Sequence, residues 1–160
     1  MKNLKGLNKI FLIGLPGAGK TTMGLDLAVD LGLQFVDLDQ DIEKANKQSV
    51  REIFEEKGEA HFRQLEKLHL DKVLDELDEF VMATGGGTPC FFNNLETMKR
   101  AGVTIFINTP IQQINERLEK DTSRPLMKTA TLEELLAKRK EWYSQADHTI
   151  QEYKELIKLF

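Results

Sequence analysis

The stretch "GLPGAGKTT", Gly14 to Thr22, constrains the fold of this chain more than any other. It matches the pattern G-x-x-x-x-G-K-S/T through Gly14, Gly19, Lys20 and Thr21. An apolar run, "NKIFLIG", precedes it, and a segment with helical spacing follows, with Met23, Leu25, Leu27, Ala28 and Leu31 on its apolar side. Glycines let the backbone curl so that several N–H groups face phosphate oxygens, and the helix N-terminus adds partial positive charge. Gly17, Ala18, Gly19, Lys20, Thr21 and Thr22 are therefore candidate nucleotide-binding residues. Lys20 is expected to reach the β- and γ-phosphates, and Thr21 to offer its hydroxyl to Mg2+. The motif implies a nucleoside triphosphate with Mg2+ and does not by itself say kinase, because motors, GTPases and ATPases share it.

The remaining segments alternate. "LQFVD", "EFVMATGGG", "GVTIFIN" and "HTI" read as strands. A helix is expected to open at a capping box of Ser49 and Glu52 and to stop at Gly58, with a longer helix from Glu59 to Leu77. Thr109 and Pro110 read as the start of a helix to Leu118, and Thr131 with Glu134 as a capping box for the next, with a closing helix after "HTI". Strands alternating with helices predict an α/β fold with a parallel sheet covered on both faces. No linker or repeat divides the 160 residues, so a single domain over 1–160 is expected.

Charge narrows the partners. The net charge is −4, which argues against a basic nucleic-acid surface. An anionic ligand must then be held by local positive charge. The one cysteine, Cys90, excludes an internal disulfide and leaves no zinc spacing, which fits a reducing, cytoplasmic setting. Lys2, Lys5 and Lys9 precede an apolar run too short for a signal peptide, and no run is long enough to span a membrane. Without an exposed heptad or a long edge strand, a monomer is the default expectation.

A P-loop protein needs a carboxylate near Mg2+, usually at the end of a second strand. Among the predicted strands only "QFVDLD" leaves an aspartate at its carboxyl end, so Asp37 is the candidate, directly or through water. Asp39 lies two residues further, where ligands of open parallel sheets bind, and is placed to accept a proton from a bound hydroxyl. Asp41 is read as starting a helix and serving its dipole.

Other residues admit two readings. Arg63 and Glu66 stand three apart in "GEAHFRQLE", as a surface ion pair or as a guanidinium held ready for a substrate carboxylate. Gly85, Gly86 and Gly87 end a strand and lose much backbone entropy, which the close approach of a ligand to N–H groups would offset; a plain loop is the other reading. The polar stretch "EKDTSRPLMKTA", about 119–130, joins two helices and reads as a lid, with Arg124 either swinging onto phosphate or solvated. Arg117 precedes it. Arg139, between Lys138 and Lys140, reads as part of a solvated face, and His61, His69 and His148 have no ligand spacing.

Six blocks, "GLPGAGKTT", "DLDQDIE", "SVREIFEEKGEAHFRQLE", "TGGG", "RPL" and "KRKEWY", occur in an order that resembles shikimate kinase, from about Asn8 to Ala146. The resemblance implies a nucleoside monophosphate kinase-like P-loop fold, with a five-stranded parallel sheet flanked by helices, a mobile lid and shikimate-binding helices over about 38–77. It implies transfer of the γ-phosphate of ATP to the 3-hydroxyl of shikimate, in the biosynthesis of aromatic amino acids. By the same resemblance Asp39 takes the proton of the accepting hydroxyl, and Asp37 meets Mg2+ through water. Arg63 and Arg139 bind the shikimate carboxylate, and Gly85, Gly86 and Gly87 line its pocket. Arg124 meets the phosphates from the lid, and Arg117 stacks on adenine. The rivals are another small-metabolite P-loop kinase, such as a gluconate kinase, and a nucleotide-binding module without turnover. The pattern "GExxFRxxE" with the triple glycine favours shikimate.

Overall fold

In the first strand, β1 (Lys9–Ile13), every residue from Ile10 onward is buried, as expected of a strand with parallel neighbours on both edges and helices on both faces. This computed structural model describes residues 4, 6–120 and 129–160. The other strands are β2 (Gln34–Asp37), β3 (Phe80–Ala83), β4 (Val103–Ile107) and β5 (His148–Ile150). They form one parallel five-stranded sheet in the order β2-β3-β1-β4-β5. The all-buried patterns of β3 and β4 flank β1, while the polar-ended β2 and β5 take the edges.

Register matters for function. Ala83 sits opposite both Leu12 of β1 and Asp37 of β2, so three strands end nearly level. The chain leaves β1 for the far edge at β2, returns through β3, then crosses to β4 on the other side. That reversal beside β1 opens a crevice at the carboxyl ends, where the P-loop, Asp37 and the triple glycine all emerge.

The helices are α1 (Lys20–Leu31), α2 (Leu38–Asn46), α3 (Val50–Glu76), α4 (Asn94–Ala101), α5 (Ile111–Lys120), α6 (Thr129–Tyr143) and α7 (Tyr153–Ile157), with a 3-10 turn at Thr88–Cys90. None of the described helices is long and apolar enough to cross a membrane. Gly19 caps α1 at φ 102°, a left-handed conformation that a residue with a side chain adopts only under strain.

Several boundaries differ from the sequence reading. α2 does not begin at Asp41. Its N-cap is Asp37, whose Oδ1 accepts the Gln40 N–H at 3.1 Å, which puts Asp39 and Asp41 together in the first turn. Ser49 caps α3 as expected, accepting from the Glu52 N–H at 3.1 Å. Gly58 interrupts the helix as expected: it is non-helical at φ 82°, ψ 167°, and a sharp kink there separates the two helical halves of α3. α6 begins at Thr129, so Thr131 lies inside it and not at its cap. α5 begins at Ile111, and the Thr109 hydroxyl is drawn instead to the Ala18 carbonyl at 2.7 Å, tying β4 to the P-loop. α4 and the 3-10 turn had no counterpart in the sequence reading.

Candidate active site

The P-loop forms one wall of a cleft of about 670 Å3. Gly17, Gly19, Lys20, Thr21 and Thr22 line it, facing Asp37, Asp39, Thr84 and Gly86, with Arg117 at its side. Lys20 is nearly buried, and its ammonium donates to the carbonyls of Gly14 at 2.6 Å and Leu15 at 2.9 Å. These bonds hold the positive charge at the mouth of β1. Ala18 is buried under the loop, accepting from both Thr109 and the Arg117 Nη1, the latter at 3.1 Å.

Thr21 and Asp37 meet, as a shared cation site requires. The Thr21 hydroxyl donates to Asp37 Oδ2 at 3.1 Å, across from β2. One hydroxyl and one carboxylate are hard oxygen donors that suit Mg2+, which keeps waters and phosphate oxygens as its other ligands. Among the described residues no group of three or more His, Cys, Asp or Glu could hold a metal ion.

Each residue of the triple glycine faces one of the expected substrate residues. A β-carbon on Gly85 would lie 2.8 Å from Asp39 Oδ1, one on Gly86 2.8 Å from Arg139 Nη1, and one on Gly87 2.6 Å from Arg63 Nη1. Side chains are excluded here by contact with functional groups, which explains three successive glycines better than loop flexibility does.

Arg63 is no surface residue. It is 6% exposed and donates from Nη1 to Glu66 Oε1 at 2.6 Å, while Glu59 accepts from its Nε and Nη2 at 3.3 and 3.2 Å. Phe91 lies 4.3 Å from its guanidinium carbon, and Phe62 lies 5.4 Å away. Aromatic faces on a desolvated cation stabilise it by about 2 kcal/mol. The reading of Arg63 and Glu66 as a surface pair is therefore overturned. Arg139 is half-buried, and its Nη1 is buried with no hydrogen-bond partner, aimed at the glycine loop; the reading of a solvated face fails for it too.

Asp39 sits in an unusual electrostatic environment. Its Oδ1 is buried without a hydrogen-bond partner. Burial pushes its pKa up to about 6, the Glu66 carboxylate adds to the rise, and Lys20 opposes it. A carboxyl poised near neutrality suits proton transfer.

Arg124 and most of the expected lid lie outside the described residues. Three contributors escaped the sequence reading. Tyr143 is fully buried, stacks on Phe106 at 4.9 Å and donates its hydroxyl to the Gly86 carbonyl at 2.6 Å. Its spacing of four from Arg139 could have shown that both share a helix face. Phe91 and Thr88, which donates to Glu66 Oε2 at 2.5 Å, left no local signal.

Comparison with known proteins agrees with this geometry. The family model described as shikimate kinase matches residues 16–158. A shikimate kinase of Persephonella marina is 42% identical, covering 88% of this chain and 87% of its own. The crystal structure of shikimate kinase from Bacteroides thetaiotaomicron superposes with a TM-score of 0.84 at 38% identity, over 92% of this chain and 88% of that one. Shikimate kinase from Acinetobacter baumannii in complex with shikimate gives 0.87 at 32% identity, over 98% and 94%. A gluconokinase from Sinorhizobium meliloti, at 14% identity and a TM-score of 0.57 over 95% and 88%, shares the fold alone. By its family model and its relatives, the chain belongs to the shikimate kinase family.

Proposed function

We propose that this protein transfers the γ-phosphate of ATP to the 3-hydroxyl of shikimate, giving shikimate 3-phosphate and ADP. The observation that carries this reading is the meeting of the P-loop, the elevated Asp39 and the buried Arg63–Glu66 pair around one glycine loop. Arg63 and Arg139 supply two guanidinium groups for the substrate carboxylate, and Gly85, Gly86 and Gly87 bring backbone against the ring. Asp39 accepts the proton that leaves the hydroxyl as its oxygen attacks phosphorus. Lys20 holds positive charge beside the transferring phosphate, and Arg124 adds to it from the lid, while Arg117 flanks the base. The Thr21 hydroxyl and, through water, Asp37 would hold Mg2+, which would supply charge to the phosphate oxygens. The protein positions the reactants and places charge, which is most of what phosphoryl transfer needs.

The family model and a relative 42% identical favour shikimate over gluconate, since the gluconokinase shares only the fold at 14% identity. A coupled assay of ADP release with shikimate, gluconate and nucleoside monophosphates tests the reading. Shikimate-dependent ADP is expected, and release with gluconate alone would transfer the assignment to the rival kinase.

A further inference from the structure

Thr88 stands at the start of the 3-10 turn after the glycine loop, and all three of its polar groups are engaged. Its N–H donates to the Gly85 carbonyl at 3.1 Å. Its carbonyl accepts from Asn94 Nδ2 at 3.0 Å. Its hydroxyl donates to Glu66 Oε2 at 2.5 Å. Thr88, Asn94 and Glu66 are all fully buried. Glu66 thus accepts on both oxygens, from Thr88 on one and from Arg63 on the other.

The two bonds on Glu66 have different consequences. The bond to Arg63 sets where the guanidinium sits. The bond to Thr88 sets where Glu66 sits relative to the glycine loop. A β-carbon on Gly85 would meet Asp39 Oδ1, Glu66 Oε2 and Thr88 Oγ1 at 2.8, 2.9 and 3.0 Å, so these oxygens crowd one point. Two carboxylates and a hydroxyl so placed need a fixed donor, and the Thr88 hydroxyl is the donor the geometry provides to Glu66 Oε2, as Arg63 is to Oε1. A carboxylate left with a buried bare oxygen moves to find another partner, and Arg63 would move with it.

We propose that Thr88 is a positioning residue for the acid substrate: its hydroxyl joins the glycine loop to Glu66 and so fixes the guanidinium of Arg63. This rests on the assignment of Arg63 to the substrate carboxylate. Thr88 does not touch the substrate; it acts through Glu66. Its influence falls on the acid-binding half of the site and not on the P-loop half.

The test measures ADP release against shikimate at saturating ATP, and against ATP at saturating shikimate, for the parent protein, Thr88→Val, Thr88→Ser, Glu66→Gln and the double variant Thr88→Val/Glu66→Gln. Thr88→Val keeps the volume and removes the donor; it is expected to raise the KM for shikimate about tenfold, with the KM for ATP within about twofold. Thr88→Ser keeps the donor and is expected to restore the parent value. In the Glu66→Gln background the effect of Thr88→Val is expected to fall below about twofold, because the two residues act on one path. Should Thr88→Val not fold, Thr88→Ala removes the same donor with less bulk and carries the same expectation. A lowered Tm with an unchanged KM for shikimate would make Thr88 merely structural and overturn the proposal. Equal effects of Ser and Val, or full additivity with Glu66→Gln, would do the same. If the parent protein itself releases no ADP with shikimate, the functional reading falls and takes this proposal with it; if the parent turns over and only the variants disagree, the functional reading stands alone.

Discussion

Arg63 Nη1 donates to Glu66 Oε1 at 2.6 Å, and neither residue is more than 6% exposed. A pair taken this far out of water is costly to form and more costly to break, because removing one partner strands a buried charge. Arg63→Ala should therefore lower stability by about 3–5 kcal/mol in denaturant unfolding. It should also raise the KM for shikimate at least tenfold, since each hydrogen bond to a charged group is worth about 1.5–3 kcal/mol. Affinity for ATP should change little, because the hydrogen bonds of Arg63 go to Glu59 and Glu66 and not to the P-loop. Equal loss of both ligands would assign Arg63 to the fold and not to the substrate.

Asp39 gives a pH signature. Burial and Glu66 hold its pKa up to about 6, against 3.8 for a free aspartate. Its protonated form is the one the fold prefers, so its contribution to stability is fully present below 3.8 and is lost as pH rises through about 6. Activity runs the other way, because a proton acceptor must be ionised. The value of kcat/KM for shikimate should fall as pH drops through about 6. Asp39→Asn should cut kcat by about 100-fold or more while leaving the KM for ATP close to its parent value. A profile flat down to pH 5, or a variant with weakened ATP affinity and normal turnover, would remove Asp39 from proton transfer.

The parts of the site visible in the sequence were those written locally. The P-loop is a contiguous motif, and Asp37 and Asp39 are separated by where a strand ends. Arg63 and Glu66 were visible as neighbours three apart, but burial was not, because the shielding comes from Phe91 and Gly87, which lie elsewhere in the chain. Thr88 pairs with Glu66 across 22 positions and Tyr143 with Gly86 across 57, and such spacings leave no periodicity to read. Helix starts were misplaced where polar residues had other partners. Thr109 looked like a cap and bonds the P-loop instead, and Asp37 looked like a metal residue alone and also caps α2.

That double role of Asp37 can be separated. Its Oδ1 caps α2 and its Oδ2 meets the Thr21 hydroxyl. Asp37→Ala should lose both, at a stability cost of about 1 kcal/mol for the cap. Asp37→Asn keeps an acceptor for the Gln40 N–H and removes the charge together with the oxygen that accepts the Thr21 hydroxyl. Its Tm should stay near the parent value, while the Mg2+ concentration for half-maximal turnover rises several-fold. Removing divalent metal with a chelator should abolish ADP release in the parent. An unaltered Mg2+ requirement in Asp37→Asn would leave the cap as the residue's whole role.

Gly87 has an ordinary backbone conformation, with φ −94°, so a side chain there is opposed by contact alone. A β-carbon would approach Arg63 Nη1 and Nη2 at 2.6 Å and its central carbon at 2.7 Å. Contacts under 3.0 Å require one side to move, and a guanidinium bonded to Glu66 and Glu59 cannot yield without losing its bonds. Gly87→Ala should thus displace Arg63 and raise the KM for shikimate as strongly as Arg63→Ala does, with ATP binding preserved. The double variant Gly87→Ala/Arg63→Ala should recover part of the stability lost in Gly87→Ala, since the clash disappears with the guanidinium. Thermal unfolding of the single and double variants, beside their shikimate kinetics, checks this. Additive destabilisation would show that the glycine serves the backbone and not the arginine it faces.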